Sequence, residues 1–174
     1  MPLNEKSAFL WDPFVNPKAD TLSYFLNAPS SGLAPVYFLR WAWRAYLQLD
    51  ESHQPKSNDP LGKGSNRELV LKSPIFQNKA LWRLCDPSSD IPSGLNSKSA
   101  TKFLITSATG DPLFDEGKDF AIKLKENGAF VSYTSCKGSH ILAYAMDVSK
   151  QKKLMAELRK FVFDEDVQDF FFDT

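Results

Sequence analysis

Two residues of this sequence have the type and the setting to move a proton. Asp111 stands in Thr106-Ser107-Ala108-Thr109-Gly110-Asp111-Pro112, three residues past a β-branched, apolar run. His140 closes Lys137-Gly138-Ser139-His140, four residues past a second such run. A carboxylate that accepts the Nδ1–H of an imidazole fixes its tautomer and stabilises the imidazolium formed when Nε2 takes a proton. Asp111 and His140 could therefore be the acid and base of a nucleophile–base–acid relay. On pattern alone a plainer reading stands beside it, because Asp-Pro is ordinary turn chemistry and a histidine in a Gly-Ser turn is often surface decoration.

The elements that would position them lie in the last third of the chain. Lys102 to Ala108 (KFLITSA) and Phe130 to Cys136 (FVSYTSC) read as strands. Between them Phe114 to Asn127 reads as a helix with Phe120, Ala121 and Leu124 facing a core and Gly128 as its stop. A final helix begins near Ser149, with Leu154, Leu158, Phe161 and Val162 on one face. Strand, helix, strand, helix implies parallel strands joined by crossover helices, an α/β fold. In such sheets ligands and catalytic groups gather beyond the carboxyl ends of the strands, where Asp111 and His140 fall.

The first half is less regular. Ala8 to Trp11 reads as a short buried strand stopped by Asp12-Pro13, and 12–33 as mostly loop. Ala34 to Leu49 reads as a helix whose Phe38, Trp41, Ala42, Ala45 and Leu49 recur at helical spacing, with its arginines along the rim. Asp50 to Arg67 is polar and rich in Pro, Gly, Ser and Asn, a surface loop in which His53 is solvated. NKALWRLC is a short helical candidate, and 164–174 an acidic, phenylalanine-bearing tail that docks on a groove or frays. The whole of 1–174 reads as one domain.

Lys+Arg and Asp+Glu each total 21, so the net charge is zero. That balance excludes general affinity for nucleic acid, which draws its energy from a basic footprint. The interleaved Arg40-Trp41-Ala42-Trp43-Arg44 is accordingly read as an amphipathic helix rather than a nucleic-acid surface. Cys85 and Cys136 are isolated, as in a reduced, cytoplasmic protein, and no apolar run approaches the roughly 20 residues of a membrane span. No metal-ligand cluster and no phosphate-binding glycine loop is present, so neither metal nor cofactor is expected.

From Phe103 to His140 the text FLITSATGDPLFDEGKDFAIKLKENGAFVSYTSCKGSH resembles the C-terminal region of the α/β-hydrolase fold-3, or hormone-sensitive-lipase-like, esterases. FLWDPFVNPKADTLSY and RWAWRAYL resemble that family's earlier strand and aromatic helix. The resemblance implies part of an α/β-hydrolase fold, about three parallel strands of an incomplete sheet, and a carboxylic ester hydrolase with no cofactor. It implies that Asp111, in Asp-Pro-Leu-Phe-Asp-Glu-Gly, is the triad acid and that His140 is the base. Asp115 becomes loop or cap structure. Two departures stand out. Ile141-Leu142 follow the histidine where the family has Gly-Phe, and no Gly-x-Ser-x-Gly nucleophile elbow or His-Gly-Gly oxyanion loop occurs in the chain. The resemblance would place both upstream of Ala8. Three readings follow: a portion of a longer gene product, a degenerate pseudoenzyme, or one half of a split enzyme that pairs with the missing N-terminal half. The complete enzyme's partner would be a small-molecule ester.

Overall fold

The computed structural model describes residues 7–30, 34–49, 66–88, 91, 101–140, 147–163 and 171–172. His53 and most of the polar 50–67 segment lie outside the described residues.

Four parallel strands form one sheet in the order β1 (Ser7–Trp11), β2 (Lys102–Ala108), β3 (Val131–Cys136) and β4 (Phe171–Phe172). Phe9 pairs with Leu104, Ile105 with Tyr133, and Tyr133 with Phe171. The three strands expected from the sequence are present, and a two-residue strand from the tail adds a fourth. The tail's described residues thus dock on the sheet rather than fray.

β2 and β3 are near-continuous runs of buried residues because both of their faces are covered. On one face lies α6 (Phe114–Glu126), whose Phe120, Ala121 and Leu124 pack with Ile105, Val131 and Tyr133. Phe120, Leu124, Ile105 and Val131 each contribute on the order of 1.5–3 kcal/mol when fully buried. On the other face lies α7 (Val148–Phe163), whose Leu154 meets Ala108 and whose Phe161 ring faces Phe130. Val162, expected on that buried stripe, is exposed instead. β1 has one neighbour among the described residues, so its side chains alternate between exposed and half-buried rather than being fully buried as expected.

α6 carries Asp115 and Glu116 in its first turn and Lys123 and Lys125 in its last, complementing the helix dipole at both ends. Gly128 (φ 86°) stops it, and Ala129 N–H reaches back to the Leu124 carbonyl. Gly117 in the same helix is required by packing. A Cβ there would lie 2.5 Å from Ser107 Oγ on β2 and 3.2 Å from Pro13 Cδ.

Short helices form a second core around Tyr24, Val36, Leu39, Trp43, Leu47, Val70 and Trp82, joined to the sheet corner by Leu113. They are α1 (Ser23–Leu26), a 3₁₀ turn (Ala28–Ser30), α2 (Val36–Tyr46), α3 (Arg67–Lys72), α4 (Pro74–Gln77) and α5 (Lys79–Cys85). Ser73 and Asn78 cap α4 and α5 through their side-chain oxygens. The helix read over 34–49 forms, but its buried face is Val36, Leu39, Arg40 and Trp43, rotated from the expected one. Arg40 is not on the rim: it is 2% exposed, its guanidinium over the rings of Tyr24 and Phe25. The polar segment also ends earlier than expected, since Asn66 is fully buried and bonds the carbonyl of Arg40 and the Nε of Arg44. Among the described residues no helix is long and apolar enough to cross a membrane.

Candidate active site

Parallel ladders normally end with their strands, but here they run on at three consecutive tips. Asp12 N–H donates to the Thr106 carbonyl at 2.9 Å. Thr109 N–H reaches the Cys136 carbonyl at 2.9 Å, and Gly110 N–H the Gly138 carbonyl at 2.7 Å. These bonds hold the loops after β2 and β3 side by side, so the residues that follow meet. Gly138 takes φ 150°, which a side chain would resist, and so lets that turn approach.

The result is an Asp–His pair. His140 Nδ1 lies 2.5 Å from Asp111 Oδ2, with Asp111 fully buried and the imidazole 16% exposed. A carboxylate oxygen accepts, so Nδ1 carries the hydrogen and Nε2 keeps its lone pair. The other oxygen of Asp111, Oδ1, accepts the Leu113 N–H at 2.9 Å, which fixes the carboxylate plane. The two residues singled out in the sequence are therefore brought together.

Sequence reasoning missed a third residue, Asp12, which it read only as a strand stop. Its Oδ2 lies 3.7 Å from His140 Nδ1, and its Oδ1 accepts the Ala108 N–H at 2.8 Å. The signal that could have found it was already in use: it too stands just past the carboxyl end of a parallel strand. Burial pushes the His140 pKa down, but the hydrogen bond and charge of Asp111, with the charge of Asp12, outweigh it. The imidazole is held above its ordinary 6.5. Ligand-type atoms of Asp12, Asp111 and His140 lie within 4.8 Å of one another, which invites comparison with a metal centre. Here the nitrogen that would bind a cation is the one set at hydrogen-bond distance from Asp111, an arrangement for holding a proton.

Residues of 12–33, a stretch expected to be mostly loop, brace the Asp111 corner. Asp115 Oδ2 accepts the Ser23 N–H at 2.6 Å, while Ser23 Oγ accepts the Asp115 N–H at 3.2 Å and donates to the Pro112 carbonyl. This reciprocal clasp ties Thr-Leu-Ser-Tyr to Asp-Pro-Leu-Phe-Asp-Glu-Gly, so the Asp115 carboxylate braces Ser23 across the two segments. Asn27 Nδ2 donates to the carbonyls of Thr109 and Asp111, at 2.9 and 2.8 Å. Asn27→Ala should destabilise the chain by about 2 kcal/mol, since it strips two carbonyls of the Asp111 corner of a donor. Urea unfolding measures it; an unchanged midpoint would show that water replaces the amide without loss.

No family model matches the sequence, and no curated protein does either. Solved structures do. Esterase E25 superposes with a TM-score of 0.55 at 22% identity, over 90% of this chain and 39% of that one. Carboxyl esterase 2 (TmelEST2) from the mycorrhizal fungus Tuber melanosporum gives 0.58 at 17%, over 94% and 44%. A double mutant of esterase rPPE gives 0.52 at 20%, over 91% and 43%. The chain spans about two fifths of the length of these esterases. With its parallel strands and crossover helices, the chain has an α/β fold that matches part of these esterases.

Proposed function

We propose that this chain supplies the base and acid of a carboxylic ester hydrolase of the hormone-sensitive-lipase-like type. The supporting observation is the 2.5 Å approach of His140 Nδ1 to Asp111 Oδ2 at the tips of adjacent parallel strands. In the complete enzyme a serine attacks the ester carbonyl and His140 Nε2 takes its proton. Asp111 holds the ring in register and stabilises the imidazolium, and the proton then passes to the departing alcohol. The substrate is a small-molecule ester, and the relay needs no cofactor.

The serine must come from outside the 174 residues, which contain no Gly-x-Ser-x-Gly. Alone, the chain is expected to hydrolyse a short p-nitrophenyl ester no faster than background. Expressed together with the coding sequence upstream of Met1, it should gain an in-frame Gly-x-Ser-x-Gly and turnover. His140→Ala should then lower that turnover by on the order of 10⁶-fold. Turnover by the chain alone, abolished by His140→Ala, would sink the idea of an external nucleophile. The same missing motif favours a second reading, a non-catalytic binding or regulatory protein on this fold. An upstream sequence with no nucleophile elbow would decide for it.

A further inference from the structure

The pair just described accounts for one carboxylate at His140, yet two face the same ring nitrogen. Asp12 Oδ2 stands 3.7 Å from Nδ1, and the Asp12 side chain is 1% exposed. Burying a carboxylate against another carboxylate is costly unless a positive group lies between them. The positive group both carboxylates share is the imidazole, whose Nδ1 lies 2.5 Å from Asp111 Oδ2 and 3.7 Å from Asp12 Oδ2. Asp12 also holds φ 42°, a left-handed backbone uncommon outside glycine, asparagine and aspartate, and its surroundings pin it there. Two bonds do the enforcing: its N–H to the Thr106 carbonyl and its Oδ1 to the Ala108 N–H. Both anchor points are on β2, immediately before the Asp111 corner.

We propose that Asp12 is a second positioning carboxylate for His140, which adds its charge to that of Asp111 and holds the ring when Asp111 is lost. It acts through the imidazole. Asp111 makes the close hydrogen bond, and Asp12 supplies the field from the β1 side. Both are felt at the ring as charges that favour imidazolium. Lys137 is in the turn before His140, and Lys150 of α7 donates to the Lys137 carbonyl; Glu116 of α6 and Tyr24 of α1 feel the charge of Asp111. This proposal rests on the relay reading of the pair, but its test reads the ring directly, so it can fail or succeed whether or not ester hydrolysis is ever observed.

The chain has two histidines, so the imidazole signals of the intact protein can be titrated by NMR with His53 as internal reference. Asn keeps an oxygen for the Ala108 N–H at position 12 and for the Leu113 N–H at position 111, and it tolerates positive φ. Asp12→Asn should move the His140 midpoint down, with His53 unmoved. Asp111→Asn should also lower it, but leave it above the Asp12→Asn/Asp111→Asn double variant. Coincident midpoints for Asp111→Asn and the double variant would overturn the proposal, since Asp12 would then contribute nothing. Asp12→Gly, which takes φ 42° without strain, must give the same downward shift as Asp12→Asn. A wild-type midpoint in Asp12→Gly overturns it equally.

Discussion

Gly117→Val is expected to destabilise the fold by about 3 kcal/mol, and Gly117→Ala by about 1–2 kcal/mol. The position lies inside α6, where alanine ordinarily gains about 1 kcal/mol over glycine, so the sign itself is diagnostic. A Cβ at Gly117 would stand 2.5 Å from Ser107 Oγ, with Pro13 Cδ and Cγ at 3.2 and 3.3 Å behind it. Ser107 is fully buried, and its hydroxyl has no hydrogen-bond partner among the described residues. One rotamer change there can relieve an alanine in part. The two methyl groups of valine have no such exit, because the Pro13 ring closes the other side. The double variant Ser107→Ala/Gly117→Ala should recover most of the loss. Chemical denaturation of the three variants decides it, and a Gly117→Ala chain more stable than wild type would refute the packing account. The glycine of Asp-Pro-Leu-Phe-Asp-Glu-Gly is thus explained by how closely α6 lies on β2, which in turn sets where Asp111 stands.

The second large effect concerns Glu116, one residue earlier. Its carboxyl is 2% exposed, Oε1 accepts the Val15 N–H at 3.1 Å, and the Tyr24 hydroxyl is the side-chain donor beside it. Burial pushes its pKa well above the ordinary 4.5; backbone N–H groups of Val15 and Asn16 pull against this, and the charge of Asp111 adds to the rise. The folded state therefore binds the proton more tightly than the unfolded chain. The stability this group contributes is complete below about pH 4.5 and is lost as pH rises through the folded pKa. Each unit of difference is worth about 1.4 kcal/mol. Glu116→Gln keeps an oxygen for Val15 and cannot ionise, so it should match wild type in acid and become the more stable chain as pH rises. Urea melts of both proteins from about pH 5 to about pH 9 give the difference curve. Two parallel curves would mean that Glu116 titrates alike in both states.

What the sequence made legible was local. β2, α6 and β3 were readable because each has a clean period and a distinct stop, and Asp111 and His140 followed from their places beyond two strands. α2 was misread for a physical reason. Phe, Trp, Tyr and Leu surround that helix almost completely, so periodicity alone does not choose its inward face. The choice falls to Arg40, whose guanidinium stacks over Tyr24 and Phe25 and whose Nε reaches the Ala19 carbonyl. An arginine on an aromatic-rich helix reads as a solvated rim until those rings are seen. Asp12 and Asn27 were hidden differently, since each acts on a corner about 80 to 100 residues away in the chain. No local pattern records such a pairing.

The three strand tips also differ in chain entropy. Asp111 and His140 are 140 − 111 = 29 residues apart, joined by a single strand–helix–strand unit. Asp12 and His140 are 140 − 12 = 128 apart. With closure entropy growing as the logarithm of loop length, bringing Asp12 to the ring costs about 1.3 kcal/mol more than bringing Asp111. The acid–base pair is thus nearly a property of one short segment, while the second carboxylate depends on closing a loop over most of the chain.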